Sequence, residues 1–350
     1  MTGWPRWADG DKLKADEALV LGEGQAPRAI AKAGVFDLQS LVSKLIEHHL
    51  GEEPVAVRPI PTGKFNDSFF VSLPGRELVA RIAPPDDAVF CFYEYRMMRQ
   101  EPEIHRLLAE RTGVPVAEIL VADFSRNLID RDFLVMERLE GAPLTEQPLP
   151  AGAADCVLEQ VGRYLRAAHE VTGDAYGYVG AHRPMKPARC WAEAFETMWH
   201  KLIDDVVAVG EYDADEQAMM RRLHQASRSH FEHDTPARLL HMDIWHQNIM
   251  VDPTGRVTGL IDWDRALWGD PEIEFAVLDY CGVSERAFWA GYGTGDDPRA
   301  GNESAQVRRL LYLLYEMQKY IVIRKGRNGN PSAARAAKAA CLELASQAIS

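Results

Sequence analysis

A chain of 350 residues, 47% hydrophobic and 26% charged, can bury a sizeable core and is expected to form two domains. Its net charge of −13 argues against non-specific nucleic-acid binding, and the acidic excess is spread evenly over residues 1–138 and 139–350, giving no support to a polycationic substrate. No apolar run approaches the roughly 20 residues of a membrane span, Met1-Thr-Gly-Trp-Pro-Arg-Trp7 lacks a signal-peptide core, and five scattered cysteines without C-x-x-C fit reduced thiols in a cytoplasm.

Residues 1–34 have a mixed pattern and are expected to wrap the first lobe or fray. Helical spacing follows at Leu38, Leu41, Val42, Leu45 and Ile46. Residues 55–60, 68–73 and 78–82 read as strands, separated by Pro61-Thr-Gly63 and Pro74-Gly75. A helical region comes next, split by Pro102, which suits the first turn of a new helix. Residues 119–122 and 133–137 are two further strands. The first lobe, residues 1–138, is therefore mixed, with about five strands and one packed helix. Residues 138–152 are poor in regular pattern and read as the connection to the second lobe, residues 139–350. That lobe is mostly helical by period, at 153–170, 191–208, 215–231, 271–280, 303–324 and 333–347. Gly291-Tyr-Gly-Thr-Gly295 lacks a preceding strand and reads as a loop between helices.

Between these helices lies the chemistry. Asp243 and Asn248 stand five residues apart in His241-Met-Asp-Ile-Trp-His-Gln-Asn248, and Asp262 follows in Ile261-Asp-Trp-Asp264. Residues 249–251 and 257–261 are short apolar runs flanking the turn residues Asp252-Pro-Thr-Gly255. An antiparallel hairpin there brings Asn248 beside Asp262, with Asp243 carried to the same end. One acid that can orient and deprotonate a hydroxyl thus meets two hard oxygen ligands for Mg2+. Phosphoryl transfer needs that set, because its barrier is lowered mainly by positioning and by neutralising phosphate charge. A transition-metal site of His241, Asp243 and His246 is the competing reading, but it lacks a Cys or third His. His241 is read as bracing the loop, and Trp245 and Trp263 as packing residues. No G-x-S-x-G, H-E-x-x-H or Cys-based zinc spacing is present.

The pattern H-x-D-x-x-x-x-N followed by I-D-W-D resembles the aminoglycoside phosphotransferase and choline kinase family. Within that pattern the family more often has Gly where Met242 stands and Asp where Glu274 stands. The resemblance implies an α+β, protein-kinase-like two-lobe fold, with a five-stranded antiparallel sheet and a helical second lobe. It implies that the loop with Gly63, Lys64, Phe65 and Asn66 covers phosphates, although this loop matches neither a Walker A sequence nor G-x-G-x-x-G. Lys64 there either adds charge or faces solvent. Arg81 would take the phosphate-facing place on the third strand, or else lie on the surface; Glu101 is its favoured partner, with Glu94 and Glu103 as alternatives. Phe133 to Gly141 resembles the hinge, where main-chain groups of Glu137 and Leu139 would read adenine or guanine over Met136. The implied function is transfer of the γ-phosphate of ATP or GTP, with Mg2+, to a hydroxyl of a small molecule. Antibiotics lead among acceptors; choline, homoserine or sugars follow. Acceptor contacts are expected after residue 150, from helices flanking the acidic stretch 204–216 or from 303–324 with its basic end Lys319, Arg324, Lys325 and Arg327. Nucleic acid and membranes are not expected partners, and a catalytically silent kinase-like binding module is the rival from another class.

Overall fold

The structure is a computed structural model and describes residues 35–349. The reading of Met1 to Trp7 and of residues 1–34 therefore lies outside the described residues. Helix α1 (Val35–Leu50) turns its apolar stripe inward, burying Val42, Leu45 and Ile46 against Phe69, Val71, Leu78, Ala80, Phe133 and Val135. These belong to a five-stranded sheet built from β1 (Ala56–Pro59), β2 (Asp67–Leu73), β3 (Arg76–Ile82), β4 (Ile119–Asp123) and β5 (Phe133–Glu137). All its pairings are antiparallel, in the order β1-β2-β3-β5-β4. Side chains alternate across a strand. With Ala80 and Ile82 of the central strand β3 packed toward α1, Arg81 between them points to the opposite face.

Helix α2 (Glu101–Arg111) starts with Pro102 in its first turn, where a missing N–H costs nothing. Before it the structure departs from the sequence reading. Residues 83–96 form turns, and only Met97–Gln100 makes a 3-10 turn. Pro84 and Pro85 disfavour helix at the residues before them, and Arg96 takes a left-handed φ of 56°, which a regular helix cannot include. The segment instead docks among helices of the second half: α3 (Ala153–His169), α4 (Trp191–Ala208) and α5 (Ala214–Ser227) follow the connection. Phe92 N donates to Asp205 Oδ2 (2.7 Å) on α4, and His182 Nε2 donates to Tyr93 O (3.0 Å).

Three very short strands were not legible as strands. β6 (Ala142–Pro143) lies in the connection, and β7 (Arg238–Leu240) precedes the loop that carries Asp243. The predicted hairpin is β8 (Ile249–Val251) with β9 (Val257–Leu260), and β6 adds to its β8 edge. β10 (Leu267–Gly269) pairs back onto β7. Two or three residues are too few to show a period of two. Helices α6 (Pro271–Tyr280), α7 (Arg286–Tyr292), α8 (Glu303–Val322) and α9 (Pro331–Ile349) complete the fold. Helix α8 is apolar on most sides and is wrapped accordingly, with Leu310, Leu311, Leu314 and Tyr315 packed among Trp191, Phe195, Trp199 and Leu202 of α4. A π-turn, Ile323–Arg327, ends it. Among the described residues no helix is long and apolar enough to cross a membrane.

The glycine-rich run at 291–295 is only partly the expected loop. Gly291 and Tyr292 are the last residues of α7, and Gly293 closes it in the left-handed conformation. Gly291 serves packing: a Cβ there would lie 1.9 Å from the Glu159 carbonyl oxygen, and one at Gly162 would lie 2.2 Å from that of Phe288. Helices α3 and α7 therefore cross with their backbones in contact. Replacing Gly291 by Ala should force them apart and destabilise the protein by about 1–3 kcal/mol. Urea unfolding checks this; an unchanged midpoint would mean that the helices do not meet there.

Candidate active site

The hairpin register places Ile249 opposite Leu260, and Ile261 N donates to Asn248 O (3.0 Å). Asn248 and Asp262 consequently sit at the same open end of the ladder. Asp243 is brought to them by the preceding loop: Asn248 Nδ2 donates to Asp243 O (2.8 Å) and to its Oδ2 (3.3 Å). That commits the amide nitrogen and leaves the carboxamide oxygen as the end available to a cation.

Two non-glycine residues here have left-handed backbone, Met242 and Asp262, each at φ 65°. Such a conformation costs roughly 1–2 kcal/mol, so the surroundings must enforce it. Glu274 of α6 does so for the first. Its Oε1 accepts from His241 N (2.9 Å) and Met242 N (2.7 Å), while Oε2 accepts from His169 Nε2 (2.6 Å). The position where Asp is more common thus carries one more methylene and still makes the loop-bracing contact. Met242 buries its side chain in the helical core, which offsets its backbone cost. His241 links the two loops: Nδ1 accepts from Asp243 N (3.2 Å) and Nε2 donates to Ile261 O (2.9 Å). One donor and one acceptor define a neutral ring, and burial lowers its pKa. Both nitrogens are occupied, so His241 is not a metal ligand, and the transition-metal reading fails. Trp263 is fully buried, with Nε1 bonded to Leu260 O (2.9 Å).

Arg81 reaches across from β3 and is buried. Its Nη1 donates to Glu101 Oε1 (2.5 Å), and its Nη2 meets Asp262 Oδ1 (2.9 Å) and Asp264 Oδ2 (3.1 Å). Burial would weaken its charge, but the three carboxylates overcome that and raise its pKa. Of the alternative partners, Glu103 is exposed, and Glu94 pairs instead with Arg265 and Arg327. Arg265 also donates from Nη1 to Asp243 Oδ1 (3.0 Å). Burial raises the Asp243 pKa, yet the Arg265 and Lys319 cations beside it hold the carboxyl below its ordinary range.

The donor set fits a hard divalent cation. Glu101, Asp243, Asp262 and Asp264 gather carboxylate oxygens there, with Arg81, Arg265, Lys319 and Lys64 as the cations beside them. Burial, aided by Asp262 and Glu101 against Arg81, pushes Asp264 up to about 8. The Asp262 side chain is 39% exposed and Asp264 only 5%, so Asp262 is the acid that an incoming metal can reach. Among the described residues no three His, Cys, Asp or Glu side chains form a metal cluster.

On the other wall, Gly63 makes a tight turn, its would-be Cβ 3.1 Å from Asn66 O. Lys64 Nζ lies 4.4 Å from the Trp245 ring centroid, so Trp245 receives a cation rather than only packing. Burial lowers the Lys64 pKa, with Asp243 acting in the opposite direction. The Phe65 ring lies beneath Arg327 (4.7 Å), and Asn66 is buried. Along the hinge, Met136 is buried with Leu134, Ala83 and Met98. Glu137 N donates to Glu118 O (2.9 Å), and the Leu139 side chain packs on Gly259, where a Cβ would lie 2.3 Å from it. The acidic stretch is used by the fold: Asp213 caps α5 with Glu216, which pairs with Lys338, while Asp204 pairs with Arg221 and Glu211 with Lys325. Sequence reasoning gave no role to Arg265 and offered Glu94 only as an alternative partner of Arg81, whose favoured partner Glu101 is the one observed. The position of Arg265, directly after the Ile261 to Asp264 motif, was the available signal.

Glu274 also gives a measurable pH dependence. Burial would raise its pKa, but His169 and the loop N–H groups lower it. Its contribution is therefore complete above the unfolded value of about 4.3 and is lost as pH falls through the lower folded value. Glu274→Gln should destabilise by about 1–3 kcal/mol at pH 7, and the gap to wild type should shrink below about pH 4. Urea titrations at several pH values check this; a gap that widens in acid would contradict the bracing role.

Comparison with known proteins agrees with this geometry. Residues 56–306 match the model of the phosphotransferase enzyme family. The chain is 25% identical over 226 residues to hygromycin-B 4-O-kinase of Escherichia coli, covering 61% of this chain but only 59% of that enzyme. A ternary complex of a thermostable aminoglycoside phosphotransferase APH(4)-Ia mutant with AMP-PNP and hygromycin B superposes with a TM-score of 0.62 at 19% identity, covering 87% and 98% of the two chains. A candidate fructosamine-3-kinase from Haemophilus somnus gives 0.64 at 16%, covering 88% and 97%. At these identities the structures show a shared kinase-like fold. The family match spans well over half of the sequence, including Arg81 and the loops around Asp243 and Asp262, and the chain belongs to the phosphotransferase enzyme family.

Proposed function

We propose that the chain transfers the γ-phosphate of ATP or GTP, with Mg2+, to a hydroxyl of a small molecule. The observation that carries this reading is the convergence of Asp243, Asn248 and Asp262 at one hairpin end, under a guanidinium from the sheet. Residues 1–138 cover the nucleotide in this reading, and residues 139–350 carry the catalytic loop and most of the acceptor wall. Asn248 and Asp262 would hold Mg2+, which supplies charge neutralisation on the phosphates. Arg81, positioned by Glu101, meets the α/β-phosphates. The loop of Gly63, Lys64, Phe65 and Asn66 covers them. With the Glu137 N–H committed to Glu118, its carbonyl and the Leu139 backbone face the base over Met136.

Asp243 is kept ionised and turned by Asn248 and Arg265. It accepts the acceptor's O–H proton as that oxygen bonds to the γ-phosphorus and the bond to the β,γ-bridging oxygen breaks, releasing the nucleoside diphosphate. Among acceptors, an antibiotic is the class supported by the hygromycin kinase relative. One observation favours the second reading, a metabolite hydroxyl: Asp204, Glu211, Asp213 and Glu216 of the acidic stretch are already engaged in a helix cap and ion pairs, which weakens its pull on a polycation. A panel of antibiotics and metabolites assayed for acceptor-dependent diphosphate release separates the two.

Asp243→Asn keeps the shape and loses the proton acceptor. It should preserve Mg-nucleotide affinity and lower kcat by about 10²- to 10⁴-fold. Retention of more than about half the wild-type kcat, with chemistry rate-limiting, would refute the assignment. Asp262→Ala leaves Arg81 with Glu101 and Asp264, so the fold should survive, while nucleotide binding loses its Mg2+ dependence. Calorimetry with and without Mg2+ checks this; unchanged Mg2+-supported binding would exclude Asp262 as a ligand.

A further inference from the structure

Glu94 takes no part in the transfer step above, yet its side chain is fully buried. It accepts from Cys91 N (2.9 Å) and Arg265 Nη2 (3.1 Å), and it pairs with Arg327. It reaches this place on the connection between β3 and α2. That connection is already docked by the Phe92 and Tyr93 backbone contacts and by the Tyr93 ring stacked on Tyr178 (4.6 Å). An apolar side chain would complete that docking more cheaply, since a buried carboxylate costs several kcal/mol before it is paired. Its two partners point elsewhere. Arg265 divides its hydrogen bonds between Glu94 and Asp243 Oδ1, while Arg327 lies over the Phe65 ring.

We infer that Glu94 is a positioning residue, acting through Arg265 on Asp243 and through Arg327 on the loop that carries Phe65. The inference rests on the phosphotransfer reading given above. Sharing with Glu94 limits Arg265 to one hydrogen bond on Asp243. Without it, the guanidinium turns its fork onto both carboxylate oxygens, the favoured bidentate geometry. The base is then occupied where the acceptor hydroxyl must bond. Arg327 loses its carboxylate at the same time, so the end of α8 is released from the loop between β1 and β2.

The test uses the full chain with MgATP alone, water serving as the acceptor. Glu94→Gln keeps size and one acceptor oxygen but removes the charge. MgATP affinity by calorimetry should stay within about twofold of wild type. ADP release, expressed per nucleotide site counted in the same titration, should fall about tenfold or more. Because Glu94 acts in part through Arg265, the double variant with Arg265→Gln should lose clearly less than the two single losses combined. A Glu94→Gln rate within about twofold of wild type, or losses that simply add in the double variant, would overturn the positioning role. If Glu94→Gln folds poorly, Arg265→Lys, which keeps the charge but cannot bridge two carboxylates as a fork, carries the test. It should lose about tenfold at unchanged MgATP affinity, and full retention of rate overturns the proposal. Wild-type protein that releases no nucleoside diphosphate from either MgATP or MgGTP, or releases it undiminished in Asp243→Asn, overturns the phosphotransfer reading itself and this inference with it. That result is read from those two proteins alone.

Discussion

A guanidinium cannot be neutralised inside a protein, so Arg81 has to be surrounded by acids wherever the fold takes it. Its three carboxylates come from two directions. Glu101 lies at the start of α2, while Asp262 and Asp264 follow the hairpin. That single requirement ties the central strand of the sheet, the first turn of a helix and the β8–β9 hairpin to one point. Gln100 reinforces it, with Nε2 donating to Asp264 O (2.5 Å) and Ala266 O (3.1 Å). Charge pairing thus fixes where β3, the start of α2 and the residues after the hairpin meet.

The same point explains the local strain. Asp262 turns back toward Arg81 from a left-handed backbone, and Met242 takes that conformation where the loop bends to present Asp243. Glu274 satisfies the N–H groups that the bend exposes, and His241 carries the constraint from one loop to the other.

Much of the fold was legible because its signals are periodic or local. The five sheet strands, α1, and the long helices α3, α4, α6, α8 and α9 all carry a clear period, and the hairpin carries turn residues between two apolar runs. The family resemblance added the kinase-like architecture, and the match over residues 56–306 upholds it. What stayed hidden has physical reasons. β6, β7 and β10 are too short to have a period. Gly291 was read as part of a loop between helices, but its use is to let two helix backbones touch, a property of its spatial neighbour Glu159. The pairing of Glu94 with Arg265 and Arg327 joins residues 171 and 233 positions apart. No pattern in one chain announces a contact of that range. At the candidate site, residue types and spacing named the groups. Only geometry showed that Arg265 lies on Asp243 and that Asp262, rather than Asp264, is open to the cleft.

The central claim is that Asp243, Asn248 and Asp262 form one phosphoryl-transfer site. A crystal structure with Mn2+ and a non-hydrolysable ATP analogue, with manganese located by anomalous scattering, tests it most directly. The account predicts a metal bonded to oxygens of Asn248 and Asp262, phosphates against Arg81, and the terminal phosphoryl group facing Asp243. Manganese bound away from Asp262 and Asn248, or a terminal phosphate turned away from Asp243 in a fully occupied complex, would contradict it.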